Sequence, residues 1–335
     1  MTTTKRPIPF VYKLLGSFLV FIGMFIISLL FGAKDTSIHD LWLALTSSHT
    51  SDEILVLREL RIPREIAAIL IGAAFAVSGA IMQGVTRNPL ADPGLLGLTS
   101  GANMALALAF VFIPGLKTSG IMLACFVGAA LGASLVLVLG SMRNGSLSPT
   151  RIVLAGAAIS AFMYAISEGV SLTFKISKDV NMWTAGGLIG TTWAQLQTIA
   201  PVIIGGVLLT IFLSNQVTIL SLSDEVAVGL GQKLVQIKAI LFILVVLLTG
   251  ASVALVGNMA FVGLMIPHIV RPIVGTDYRY IIPFSAITGA SFMLLADTLG
   301  RTINLPYETP VAAIVAMLGL PFFLFVVHRG GKALS

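Results

Sequence analysis

From Ile66 to Thr86 the chain runs 21 residues without a charge, and about 20 apolar residues are enough for a helix to cross the hydrocarbon core of a bilayer. Arg58, Arg61, Pro63 and Arg64 stand before this run, and Arg87, Pro89, Asp92 and Pro93 follow it. A stretch this long and apolar between polar turns predicts a transmembrane helix. Within it Gly72, Ala76, Ala80 and Gly84 recur every four residues, so one helix face is smooth enough for another helix to approach closely. Asn88-Pro89 and Asp92-Pro93-Gly94 then form a turn that breaks this helix and caps the next.

The rest of the chain has the same character. Hydrophobic residues make up 57% of the 335 and charged residues 10%, against about 25% charged in a soluble domain. That inventory cannot build a water-facing surface of normal size. The net charge of +6 on so apolar a chain points to anionic lipid head groups at helix ends. It does not point to nucleic acid, because no run of lysine or arginine is present to meet a phosphate backbone. Cys125 is the lone cysteine and reads as apolar packing. The apolar run 14–33 after Lys5 and Arg6 is too long for a signal peptide core and reads as a retained first helix.

Charge-free runs predict ten helices, over 11–33, 64–86, 95–113, 119–142, 150–171, 194–214, 235–256, 263–272, 279–300 and 309–328. The eighth is too short to cross alone. The expected fold is an all-α polytopic membrane protein, with one transmembrane domain filling residues 1–335. Segments 64–113 and 235–272 each hold a glycine-rich helix, a proline-broken loop and a short helix. The first starts outside and the second inside, as in an inverted repeat. Cytoplasmic N- and C-termini place twelve of the 20 basic residues inside and eight outside, in the direction of the positive-inside rule.

The motifs of chemistry are missing. Gly330-Gly331-Lys332-Ala333 is the nearest imitation of a phosphate-binding loop and lacks its pattern. His39, His49, His268 and His328 are scattered without metal-ligand spacing, and Ser78-Gly79 has no histidine partner in view. Passage of a substrate is therefore expected, and not its conversion. Glu168 and Asp297 lie toward the outer ends of helices five and nine. They form no chain of carboxylates that would relay protons, as the alternative of an ion-coupled secondary transporter requires.

Residues 221–231 form an unusual loop. Ser223 can cap a short helix, Asp224 and Glu225 suit its first turn, and Gly229 and Gly231 can end it in a tight turn. A short amphipathic helix held between two membrane helices suits docking into a partner's groove. The alternative is a solvated connecting loop.

In order along residues 58–327 stand LRIPR, GAAFAVSGAIMQG, NPLADPGLLGLTSGA, LAGAAIS, SDEVAVGLG, GNMAFVGLMIPHIVRPIVG and ASFMLLADTLGR. On these motifs the chain resembles the permeases of cobalamin and ferric-siderophore ABC importers, the FecCD-type or type II importers. The resemblance implies a bacterial cytoplasmic-membrane permease with ten helices. It would pair with a second permease, identical or paralogous, around one central path. It implies two cytoplasmic ATPase subunits that bind ATP and magnesium, an extracytoplasmic substrate-binding protein, and no cofactor in this chain. The cargo would be an iron-siderophore or a similar metal chelate, with haem and cobalamin left open.

By the same resemblance Arg61, Arg64 and Arg301 match arginines that meet glutamates of the binding protein, with snorkelling to lipid phosphate as the alternative. Asp224, Glu225, Ala227, Gly229, Leu230 and Gly231 match the ATPase-coupling segment. Asn88, Leu90 and Thr150 match the cytoplasmic gate, although Pro149-Thr150 replaces a more hydroxylated pair of some relatives. His268 matches a family signature and reads as structural.

Overall fold

The computed structural model describes residues 9–32, 36–47, 51–141, 149–185 and 187–332. Ten principal helices follow in order: α1 (Phe10–Leu30), α2 (Ile62–Thr86), α3 (Leu98–Phe112), α4 (Thr118–Ser141), α5 (Pro149–Thr173), α6 (Trp193–Phe212), α7 (Leu234–Val256), α8 (Val262–Val274), α9 (Tyr278–Thr302) and α10 (Val311–Lys332). Each of the ten expected helices has its counterpart. Short helices connect them over Ile38–Thr46, Asp52–Val56, Ser177–Ala185, Ser214–Leu220 and Asp224–Gly229, and none of these except the last was anticipated. They lie in polar or mixed stretches where charge-free length carries no signal.

Among the described residues seven helices are long and apolar enough to cross a bilayer. The helices α3, α8 and the apolar part of α10 are shorter. At 1.5 Å per residue the 13 residues of α8 cannot span a core about 30 Å thick, and its N-terminal turn lies against the middle of α2, where Gly263 meets Gly79. The helix α3 is likewise too short to span it. It was expected from residue 95, but Pro93–Leu96 forms a 3-10 turn that Asp92 caps through its side chain, and Gly97 at φ 70° turns the chain into α3. Phe261 plays the same part before α8 at φ 69°, an unfavourable conformation for an aromatic residue. Its ring lies 6.2 Å from that of Phe323, and its Cβ sits where a side chain on Gly319 would have to go. Packing against α10 thus holds the strained residue in place.

The helices α2 and α7 form the centre, with 78% and 72% of their apolar windows buried, whereas α1 has 11% and α5 has 22%. The pairing is reciprocal. The helix α2 packs on α9 and α8, and α7 packs on α4 and α3, while α2 and α7 pack on each other. This matches an inverted repeat that relates α2, α3 and α4 to α7, α8 and α9. The small-residue stripe of α2 serves the contact with α9: Gly72 faces the Gly289 backbone, and Gly84 faces Tyr278 and Val217.

Candidate functional site

Two polar constructions lie at opposite ends of α2. At its N-terminal end Arg61, just before α2, Arg64 on α2 and Arg301 on α9 come together beside one cleft. Each is largely buried and is held by this chain. Arg61 donates to the Leu29 carbonyl and to Thr36 Oγ1, both at 3.0 Å. Arg301 donates to the Ser28 carbonyl at 3.1 Å and pairs with Glu65 at 2.5 Å and Asp297 at 2.9 Å. Arg64 lays its Nε and Nη2 edge along Asp297 (2.9 to 3.1 Å) and gives Nη1 to Glu308 at 2.8 Å. Glu65 and Asp297 have no exposed side-chain surface.

The resemblance implies that these arginines meet glutamates of a binding protein; within this chain, Glu65, Asp297 and Glu308 already pair with Arg64 and Arg301. The reason is energetic, since a guanidinium taken out of water without a counter-charge costs several kcal/mol. Arg61 and Arg301 also satisfy the last carbonyls of α1, which a helix end otherwise leaves without donors. Asp297 stands four residues before Arg301, so that pairing was open to reading on a helix. Glu65 and Glu308 were missed because their partners lie more than two hundred residues away. A cleft of about 320 Å³ opens beside this network, lined by Leu60, Arg61, Arg64, Thr191, Arg301 and Glu308, among others.

At the other end of α2, Arg87 takes the left-handed conformation (φ 53°) and closes the helix. Asn88 follows, and its Oδ1 accepts from the Leu90 N–H at 2.9 Å while its carbonyl accepts from Ala91 N at 3.1 Å. This double turn fixes Asn88 and Leu90 just beyond the C-terminal end of α2. The Thr150 side chain lies outside the described residues. Arg87 also binds Asp224, which Lys238 of α7 reaches at 3.1 Å. Asp224 therefore ties the start of the short helix Asp224–Gly229 to the end of α2 and the beginning of α7.

Residues 221–231 form the short helix read from the sequence. Ser223 Oγ accepts from Val226 N at 3.2 Å, and Asp224 and Glu225 occupy the first turn. Ala227 is buried, whereas Leu222, Val226, Val228 and Leu230 are exposed. The stop differs in detail from the expectation. Gly231 N donates to the Val228 carbonyl at 2.8 Å and Gln232 N to the Ala227 carbonyl at 3.0 Å, a Schellman closure with Gly231 at φ 80°. Gly229 remains helical with open space around it, so only Gly231 is needed for the turn.

His268 lies edge-on to Phe322, with ring centroids 5.8 Å apart. Among the described residues no group of three His, Cys, Asp or Glu side chains is placed to hold a metal ion.

A sequence model described as the FecCD transport family matches residues 19–329. The chain is 43% identical to the iron(3+)-hydroxamate import system permease protein FhuB of Bacillus subtilis (strain 168), over 95% of this chain and 83% of that one. It is 37% identical to the Fe(3+) dicitrate transport system permease protein FecC of Escherichia coli (strain K12), over 86% and 88%. To the hemin transport system permease protein HmuU of Yersinia pestis it is 37% identical, over 89% and 90%. Among solved structures, an inward-facing conformation of a putative metal-chelate type ABC transporter superposes with a TM-score of 0.83. The two are 26% identical, and the match covers 96% of this chain and all of that one.

Proposed function

This chain belongs to the FecCD transport family, and from that premise we propose that it carries an iron chelate, with an iron-siderophore as the leading cargo, through the bacterial plasma membrane. It is a multi-pass permease subunit and not itself an enzyme. The observation that carries the proposal is the extent of the match, which runs from α1 into α10 over residues 19–329. The choice of iron rests on relatives whose names specify iron hydroxamate, iron citrate and hemin as their cargoes.

In this reading ATP and magnesium bind to two cytoplasmic ATPase subunits, and a second permease copy or paralogue completes the central path. The poorly buried helix α5 supports a face toward that partner. Both termini are cytoplasmic. The exposed apolar side chains around Ala227 enter a groove on the ATPase. Asp224 passes the movement to Arg87 and so to the gate turn at Asn88 and Leu90, and through Lys238 to α7. An extracytoplasmic binding protein docks at the end bearing Arg61, Arg64 and Arg301 and supplies the chelate.

The test is uptake of labelled ferric hydroxamate, ferric citrate, hemin and cobalamin by proteoliposomes holding the complete transporter. ATP-dependent uptake of a ferric chelate is expected. Uptake of cobalamin alone would remove iron from the proposal.

A further inference from the structure

The arginine end poses a problem of charge. Around Arg64 and Arg301 stand three carboxylates, Glu65, Asp297 and Glu308, so these five groups carry no surplus positive charge to offer an acidic partner. The three acids are not equivalent. Glu65 and Asp297 are fully buried, whereas the Glu308 side chain retains 29% of its exposure. Asp297 grips the Nε edge of Arg64 with both oxygens, which fixes the plane of the guanidinium. Glu308 meets the remaining Nη1 corner through a single oxygen, and it does so at the wall of the open cleft. It follows Ile303, Asn304, Leu305 and Tyr307, all exposed, in the connection from α9 to α10. On either side of it Tyr307 N donates to the Asn304 carbonyl and Thr309 N to the Gly300 carbonyl, both at 2.8 Å.

We infer that Glu308 is a surrogate ligand, occupying on Arg64 the position that a carboxylate of the docking protein takes, and that docking proceeds by exchange of one carboxylate for the other. The inference rests on the reading of this end as the docking surface for the binding protein. An arginine already oriented by one buried acid needs no ordering when a second carboxylate arrives. An internal acid on the free corner keeps that cation satisfied while no partner is present. It also weakens docking by the free energy needed to displace it. This arrangement makes the socket selective for a carboxylate delivered into the cleft and leaves the buried pairs, which hold the helices, undisturbed.

The experiment measures affinity of the cognate substrate-binding protein for the complete transporter in nanodiscs, for the wild type, Glu308→Gln, Glu308→Ala, Arg64→Lys and the double variant Arg64→Lys/Glu308→Gln. Removing the competitor at a partly exposed pair should tighten docking on the order of fivefold, in both Glu308 variants, with a steeper loss of affinity as salt is raised. The gain should vanish in the Arg64→Lys background, whose point charge lacks the second corner of the fork. Unchanged or weaker docking in both Glu308 variants, with wild-type docking intact, would overturn the surrogate role alone. No docking to any form, wild type included, would overturn the docking surface and this inference with it.

Discussion

Gly79 of α2 and Gly263 of α8 meet backbone against backbone: a Cβ on Gly79 would stand 2.5 Å from the Gly263 Cα and closer still to its carbonyl. The contact lets the N-terminus of α8 begin beside the middle of α2. Gln83, one turn further along α2, donates to the Leu264 carbonyl at 3.1 Å and fixes the register between the two helices.

Gly79→Val should therefore push α8 away from α2. Overpacking of a filled core costs about 1–3 kcal/mol and sometimes more, and here the obstacle is backbone that no side-chain rotation relieves. The expected outcome is a clear fall in the thermal midpoint of the detergent-purified protein. Gly205→Val in α6, where an added Cβ meets nothing, should leave that midpoint near the wild-type value.

Arg301→Met should destabilise the chain strongly. It leaves Glu65 and Asp297 buried with less of their counter-charge and removes a donor from the end of α1. Breaking a buried pair by deleting one partner costs about 3–5 kcal/mol. Glu308→Gln removes a partly exposed acid and should cost under about 1 kcal/mol. Denaturation followed in the same detergent compares the two, and equal losses would contradict the division between structural and exchangeable acids.

The end of the helix Asp224–Gly229 offers a test within two residues. Gly231→Ala places a side chain at φ 80°, at a cost of about 1–2 kcal/mol, and should loosen the turn and reduce co-purification of the ATPase. Gly229→Ala, in open space on a helix, should retain the ATPase. If both variants retained it equally, the Schellman turn would have no part in coupling.

Asp277 caps α9 and binds Arg279 and Thr218. The hydrogen bond from Arg279 holds its carboxyl below the ordinary value of 3.8. The folded state thus binds this proton less readily than the unfolded chain. The resulting stability is present above about pH 4 and disappears as pH falls through the lower folded value. Asp277→Asn keeps the cap but loses the charge. Wild type should be the more stable at neutral pH by well under about 1 kcal/mol, and the difference should close below about pH 4. A difference that persists unchanged at acid pH would rule out the charge as its source.

The sequence carried the ten principal helices because a bilayer demands long uncharged runs, and α2, expected over 64–86, spans Ile62–Thr86. The capping of the 221–231 segment by Ser223 was equally local and equally legible. Long-range partnership was not. Nothing near Arg64 announces Glu308, and nothing near Arg87 announces Asp224, because the chain reaches these pairings only after the intervening helices fold back. The smooth face of α2 was visible in Gly72 and Gly84, but the choice of α9 as its neighbour came from matching glycines, of which Gly289 is the clearest. The left-handed Phe261 also escaped notice, since an aromatic residue gives no sign of such a turn without Gly319 and Phe323 beside it.

The central claim is that transport through this chain is driven by ATP hydrolysed on partner subunits. Uptake of labelled ferric hydroxamate into proteoliposomes tests it most directly, first with the permease alone under an imposed proton gradient, then with ATPase, binding protein and ATP added. The account predicts no accumulation in the first case and ATP-dependent accumulation in the second. Gradient-driven accumulation by the permease alone would contradict it and identify a secondary transporter.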